Sequence, residues 1–220
     1  MTSKSTIRLE NIDLEELKRG CKITIENAEE MIEEADILIN NKRFARAYTL
    51  YQLGIEEVGK SNLLLQLIFD LKIGRKVDAK ALNKEFKFHQ AKSKSSIVFE
   101  KAALLLMLST SQEGSAQERV KQFFEESEKV DKENANMLND NKNKSLYVGI
   151  ENGKFISPKY IITTEMALNL RTKALIRTKA AKGLLEGFLN DIDTLTSAMK
   201  NLEDQGKQVD SDMVKGFFKD

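Results

Sequence analysis

Apolar residues recur with a helical period along most of the 220-residue chain. From Leu14 to Ile39 they alternate in steps of three and four, which is typical of one buried helix face. A second helix is predicted over about Arg43 to Ile73, with Gly74 as its stop. This second helix is apolar on two faces, so we expect it at the centre of a helical bundle.

The remaining helices are predicted from capping residues and apolar spacing. A third helix is expected from Asp78 to about Ser109, and a capping box at Ser115 opens a shorter, more polar fourth helix. A last long helix is expected from Thr163 or Thr164 to about Leu202. The polar residues 205–220 are expected to form a loosely held tail.

The pattern changes between the fourth and the last helix. The segment from Asn139 to Lys144 is predicted to be a loop, and residues 145–157 a small β-hairpin. Asn152 and Gly153 tolerate the positive φ of a two-residue hairpin turn. The chain is therefore predicted to be a single all-α domain over residues 1–220, with the hairpin inserted before the last long helix.

Composition excludes several classes of protein. The 35 basic and 34 acidic residues leave a net charge of +1, so no global field attracts nucleic acid or membrane. Cys21 is the sole cysteine and lies on an apolar stripe, where a small core residue is expected rather than a nucleophile. With one histidine and one cysteine, we expect no zinc site, and we expect no cofactor. No signal core or membrane span is visible, which indicates a cytoplasmic protein.

Three charges interrupt the apolar second helix at Glu56, Glu57 and Lys60. Lys60 lies four residues after Glu56 and three residues after Glu57, so either carboxylate is a possible partner. Gly54 and Gly59 each cost roughly 1 kcal/mol relative to alanine inside a helix. Their presence suggests that another backbone or a ligand approaches closely. The charges are either a structural ion pair or part of a site.

The only histidine, His89, shares a helix face with Lys92 and Ser93. Imidazole can transfer protons near neutral pH, and lysine can stabilise a negatively charged phosphate transition state. The alternative is a partly buried histidine below Phe86, with a solvated lysine beside it.

A local basic segment lies in the last long helix, at Arg171, Lys173, Arg177 and Lys182. Such a segment predicts a footprint for an RNA phosphate backbone even when net charge is near zero. The alternative is a helix face balanced by neighbouring acidic helices.

Several short motifs follow one another along roughly Leu14 to Leu189. They are Ala45-Arg-Ala47, Gly54-Ile-Glu56-Glu57-Val-Gly59-Lys60, His89-x-x-Lys92, Ser145-Leu-Tyr147-Val and Gly153-Lys-Phe155-Ile-Ser-Pro158. Together and in this order they resemble the AbiV family of bacterial abortive-infection proteins, within the HEPN superfamily. The resemblance implies a HEPN-like helical bundle that commonly dimerises and often acts as a metal-independent endoribonuclease.

The resemblance also implies a function and a set of catalytic residues. It implies a phage-defence protein that arrests infected cells by attacking RNA and blocking translation. His89 would be the general acid or base, Lys60 and Lys92 would stabilise phosphate charge, and Glu56 or Glu57 would orient them. RNA is the expected substrate, and a phage-encoded protein is a candidate activator.

We also expect a homodimer. The chain has more apolar helix faces, including the stripe from Leu14 to Ile39, than a single bundle needs to form its core.

The chain departs in one respect from the superfamily pattern, which has an arginine separated from the catalytic histidine by four to six residues. Those positions hold Lys84, Asn83 and Leu82. Either Lys84 or Lys92 replaces the arginine, or Lys60 and the carboxylates complete a modified site, or catalysis is lost. The rival interpretation is therefore a non-catalytic HEPN helical module that binds nucleotide or a phage or host protein.

Overall fold

The computed structural model describes residues 12–109 and 136–204, and these form a helical bundle with one two-stranded hairpin. The elements in chain order are α1 (Leu14–Asn40), α2 (Phe44–Ile73), α3 (Ala79–Lys87), α4 (His89–Ser95), α5 (Ile97–Ser109), α6 (described over 136–146), β1 (Gly149–Glu151), β2 (Lys154–Ile156), α7 (Pro158–Ile161), α8 (Thr164–Asn190) and α9 (Ile192–Asp204). The predicted all-α fold with a small hairpin is confirmed. The predicted fourth helix and the tail lie outside the described residues.

Helix α2 is the centre of the bundle, as its two apolar faces predict. It packs along α1 and also contacts α4 and α8. The predicted α1 stripe is buried against α2 and α8, and its buried members are Leu17, Cys21, Ile25, Ala28, Ile32 and Ala35. Burial raises the pKa of the Cys21 thiol to about 12, so this cysteine is a core residue and not a reactive thiolate.

Local capping explains where the long helices begin and end. The Asp13 carboxylate accepts a hydrogen bond from the Glu16 backbone N–H at 2.8 Å, which caps α1. Gly74 ends α2 in the left-handed conformation, with φ of 79°. The Thr163 side chain accepts from the Met166 N–H at 3.1 Å and caps α8. These three ends agree with the sequence prediction.

The predicted third helix is wrong as one continuous element. The chain is extended at Phe88, with φ of −81° and ψ of 121°, and Ser96 separates α4 from α5. The breaks allow the short helix α4 to lie against α2 as a separate element. The predicted last helix is also divided, at Asp191, into α8 and α9.

The predicted loop from Asn139 to Lys144 is also wrong, because this segment belongs to α6. One face of α6 is buried, and Leu138, Lys142 and Ser145 lie on it. Tertiary packing therefore overrides the low helix propensity of the asparagines. The following hairpin is confirmed, and Asn152 and Gly153 have φ of 52° and 75° in its turn. Its first strand begins at Gly149 rather than at the predicted start of the hairpin, because residues 145 and 146 still belong to α6.

Within residues 12–109 and 136–204, no helix has both the length and the hydropathy required to cross a lipid bilayer.

Candidate active site

A buried carboxylate on α2, that of Glu56, is surrounded by three basic side chains. Lys142 Nζ lies 2.8 Å from Glu56 Oε1, while His89 Nδ1 and Lys92 Nζ lie 2.5 and 3.3 Å from Oε2. The cations come from α4 and α6, which approach α2 at the same point. We call Glu56, His89, Lys92 and Lys142 the Glu56 cluster.

The Glu56 cluster has an excess of positive charge. Glu56, Lys92 and Lys142 are only 1%, 6% and 4% exposed, and the two lysines share one carboxylate. Among the described residues, neither lysine has a second acidic partner. Charges out of water are costly unless they are paired, so the described residues leave one of these two buried lysines without a carboxylate of its own.

The neighbouring cations keep Glu56 ionised. Burial alone would raise its pKa, but hydrogen bonds from Lys142 and His89, with the charges of Lys142 and Lys92, outweigh that effect. The net result is that the pKa of the Glu56 carboxyl lies below its ordinary value.

Gly59 determines how closely α4 approaches α2. A Cβ atom placed on Gly59 would lie 1.8 Å from the carbonyl oxygen of Lys92, far inside van der Waals contact. The predicted close approach of another backbone is therefore confirmed at Gly59. Gly54 makes a milder approach to α1, since its added Cβ would lie 3.3 Å from the Ala28 oxygen. Only glycine, which has no side chain, allows the backbone of Lys92 to pack this closely against α2.

Polar contacts on either side of Gly59 hold α4 in place. Gln52 Nε2 donates to Ser93 Oγ at 2.8 Å, and Asn62 Nδ2 donates to Ser95 Oγ at 2.9 Å. These contacts fix the helix that carries both His89 and Lys92.

Lys142 belongs to the site and was missed from the sequence. Ser145, one turn further along α6, places its hydroxyl oxygen 2.6 Å from that of Thr49 on α2. Leu138, one turn earlier, packs in the core. The spacing of Leu138, Lys142 and Ser145 is helical and was the available signal, although the surrounding asparagines favoured a loop.

His89 begins α4, and its side chain is 51% exposed. Because Nδ1 faces Glu56, the other ring nitrogen is available to solvent or to a bound molecule. The alternative of a partly buried histidine with a solvated lysine is wrong about the lysine, because Lys92 is buried.

Glu57 and Lys60 form a separate ion pair at the edge of the Glu56 cluster. Lys60 therefore pairs with the i−3 carboxylate rather than with Glu56, and its Nζ lies 6.0 Å from the centre of the Phe86 ring. Lys84, one candidate for the missing arginine, lies over the ring of Phe88 at 5.5 Å. The lysines that contact Glu56 are Lys92 and Lys142.

Within the described residues, no contact joins the predicted RNA-binding residues of α8 to Glu56, and three of the four have carboxylate partners. Arg177 Nη1 also donates to Ser96 Oγ, at the end of α4, at 3.0 Å. Arg171 binds Asp36 through two nitrogen–oxygen contacts of 2.7 and 2.8 Å. Arg177 Nε lies 2.9 Å from Glu100, and Lys182 Nζ lies 2.8 Å from Glu29. Lys173 has no ion-pair partner within the described part of the chain. These pairs favour the alternative of a balanced helix face, while RNA binding here stays a prediction.

Metal ligands are not grouped in the described ranges, where no cluster of three histidine, cysteine, aspartate or glutamate side chains is suited to holding an ion.

Comparison with known families gives one match. The family model HEPN_AbiV, described as AbiV, matches residues 16–177, which is most of the chain. The matched range includes Glu56, His89, Lys92 and Lys142. No curated protein and no solved structure is significantly similar to the chain.

Proposed function

Because the chain belongs to the AbiV family of HEPN proteins, we propose that it is an abortive-infection protein acting as a metal-independent endoribonuclease. In this proposal, phage infection activates the protein and RNA cleavage blocks translation in the infected cell. The observation that carries the enzymatic part is the buried Glu56 carboxylate, which orients a half-exposed imidazole beside two buried lysines.

His89 is proposed as the proton-transfer group. Glu56 orients the ring through Nδ1, as carboxylates do for catalytic histidines on many folds. The free ring nitrogen takes the proton of an RNA 2′-hydroxyl as its oxygen attacks the adjacent phosphorus. The bond to the 5′-oxygen breaks, and that oxygen takes a proton from the imidazolium or from water. The products are a 2′,3′-cyclic phosphate and a 5′-hydroxyl.

Lys92 and Lys142 are proposed to stabilise the negative charge that develops on the phosphate. Since one carboxylate balances only one of these two lysines, a net positive charge is available to the transition state in a site largely excluded from water. Lys142 thereby supplies the cation that the missing arginine would otherwise provide. Glu57 and Lys60 support the edge of the site.

The proposed assembly is a homodimer, with a phage-encoded protein as the trigger of activity. The α1 stripe from Leu14 to Ile39 is used inside the bundle, so a dimer must form through another surface.

RNA integrity in phage-challenged cells tests this function. We expect the native protein to produce RNA fragments ending in 2′,3′-cyclic phosphate, and the His89→Ala and Lys142→Gln variants to leave RNA intact. Lys76→Gln, an exposed lysine beyond the end of α2, is the control and should behave as the native protein. If cells that carry the native protein are protected from phage while their RNA stays intact, the ribonuclease function is contradicted.

A second candidate is a non-catalytic module that binds nucleotide or a phage or host protein. The absence of an arginine in the usual position before His89 favours it. Under this alternative, the purified native protein would bind its partner, and His89→Ala would protect cells fully.

A further inference from the structure

The hairpin and the short helix after it expose aromatic side chains that take no part in the core. Tyr147, Phe155 and Tyr160 are 67%, 82% and 75% exposed. Ile150 lies directly opposite Phe155 in the antiparallel register, so the two share one face of the hairpin, and both are exposed. A two-stranded hairpin is marginally stable alone, and these exposed rings are not buried in either core cluster of the bundle. We call the exposed side chains of residues 143–160, which include Tyr147, Phe155 and Tyr160, the hairpin surface.

Basic residues outnumber acidic ones in this segment. Residues 143–160 contain Lys144, Lys154 and Lys159 as exposed lysines, against Glu151 as their acidic residue. Lys154 lies opposite Glu151 in the register, on the hairpin face away from Phe155, so Lys144 and Lys159 are the lysines left for an anion. Lys159 Nζ lies 4.7 Å from the centre of the Tyr160 ring, which places a cation beside an aromatic face.

The hairpin surface is connected to the Glu56 cluster through α6 and α2. Leu146, at the end of α6, accepts a hydrogen bond from Arg46 Nη1 at 3.1 Å, and it lies one helical turn beyond Lys142. Arg46 and Glu56 are ten residues apart on α2, a distance of roughly 15 Å along the helix axis. The segment that leads into the hairpin therefore begins close to the Glu56 cluster.

We propose that the hairpin surface binds single-stranded RNA, stacking bases on its aromatic rings and contacting phosphates with its lysines. Single-strand binding sites combine aromatic platforms with a basic path in this way. A protein partner fits less well, because lysines are depleted from the centres of protein–protein interfaces. The choice of RNA rests on the proposed function, and the hairpin would present the strand to the Glu56 cluster.

Affinity for a fluorescein-labelled oligouridylate tests the proposal, with full-length protein carrying His89→Ala so that RNA is not consumed. Phe155→Ala and, separately, Tyr160→Ala should each weaken binding by about tenfold or more, because each removes a stacking ring. Lys159→Gln should lower the slope of log affinity against log salt by about 0.7, as expected for one lost phosphate contact. Matched controls are Leu71→Ala and Lys76→Gln, which lie at and just beyond the far end of α2 and should change neither quantity.

Unchanged RNA affinity in Phe155→Ala and Tyr160→Ala, with normal thermal melts, would overturn the proposal. The same holds if Phe155→Ala converts a dimer into a monomer by light scattering without changing RNA affinity, since the occupant would then be a second copy of the chain. Hairpin-dependent binding by a native protein that cleaves no RNA would support this inference while contradicting the ribonuclease. RNA cleavage that is unaffected by Phe155→Ala would support the ribonuclease while contradicting this inference.

Discussion

The Glu56 cluster and the basic face of α8 both contain several cations, but their charges are balanced differently. On α8, Arg171, Arg177 and Lys182 each have a carboxylate of their own on α1 or α5. Around Glu56, three basic side chains from α4 and α6 converge on one carboxylate. The α8 pairs join helices, whereas the Glu56 cluster has positive charge that no described acidic group neutralises.

The difference teaches that a run of basic residues in a sequence is a weak indicator of a site. The α8 segment was conspicuous because residues 171–182 contain several cations and no acidic residue, while the carboxylate partners lie on α1 and α5. Lys142 was inconspicuous because it stands in an asparagine-rich segment. The number of carboxylates per buried cation, which only the fold reveals, separates the two regions.

The largest expected effect follows removal of the shared carboxylate. Glu56→Gln leaves Lys92 and Lys142 buried without a counter-charge and should lower the free energy of unfolding by about 3–5 kcal/mol. Urea unfolding measures this loss. Adding Lys142→Met to Glu56→Gln should restore part of it, and a variant as stable as the native protein would show that the lysines are not held by Glu56.

The next effect concerns the helix contact beneath the cluster. Gly59→Ala should cost about 1–3 kcal/mol, because its methyl group would displace α4 at Lys92. RNA cleavage should fall with it, since His89 moves on the same helix. Gly183→Ala in α8 is the matched control, because nothing lies within 4 Å of its added methyl and its helix propensity improves. Equal melting temperatures for the two variants would contradict this role of Gly59.

Among the ion pairs of α8, the burial of each cation should decide how much stability its substitution removes. Arg177 is buried and bonds both Glu100 and Ser96, so Arg177→Gln should cost about 2 kcal/mol. Lys182 is exposed, so water screens its pair with Glu29, and Lys182→Gln should leave the free energy of unfolding nearly unchanged. Denaturant unfolding of both variants checks the contrast, and an equal loss from the two would refute it.

The smallest effect is the dependence on pH. Because the Glu56 pKa is lowered in the folded protein, its contribution to stability is present above the ordinary glutamate value of 4.5 and is lost as the pH falls through the folded value. Between neutrality and strong acid, the native protein should therefore lose more stability than Glu56→Gln does. Parallel acid titrations followed by circular dichroism measure the difference, and parallel curves would contradict it.

The sequence predicted those parts of the molecule that depend on local pattern. Apolar spacing predicted α1 and α2, capping residues predicted their ends, and Asn152-Gly153 predicted the hairpin turn. The breaks at Phe88 and Ser96 were missed, because they depend on how α4 packs against Gly59. In the site, Glu56, His89 and Lys92 were predicted and lie together. Lys142 comes from 86 residues further along the chain than Glu56, and only the fold makes them neighbours.

The most direct test of the account is RNA cleavage by purified protein in the presence of a metal chelator. The account predicts cleavage by the activated native protein, a rate about 10²–10⁴-fold lower for His89→Ala, and a large loss for Lys142→Gln, all with folded protein. Lys72→Gln is the matched control, since it removes a lysine that has its own partner, Asp193, and should retain the native rate. Native rates in folded His89→Ala and Lys142→Gln would contradict the assignment of the Glu56 cluster as the active site.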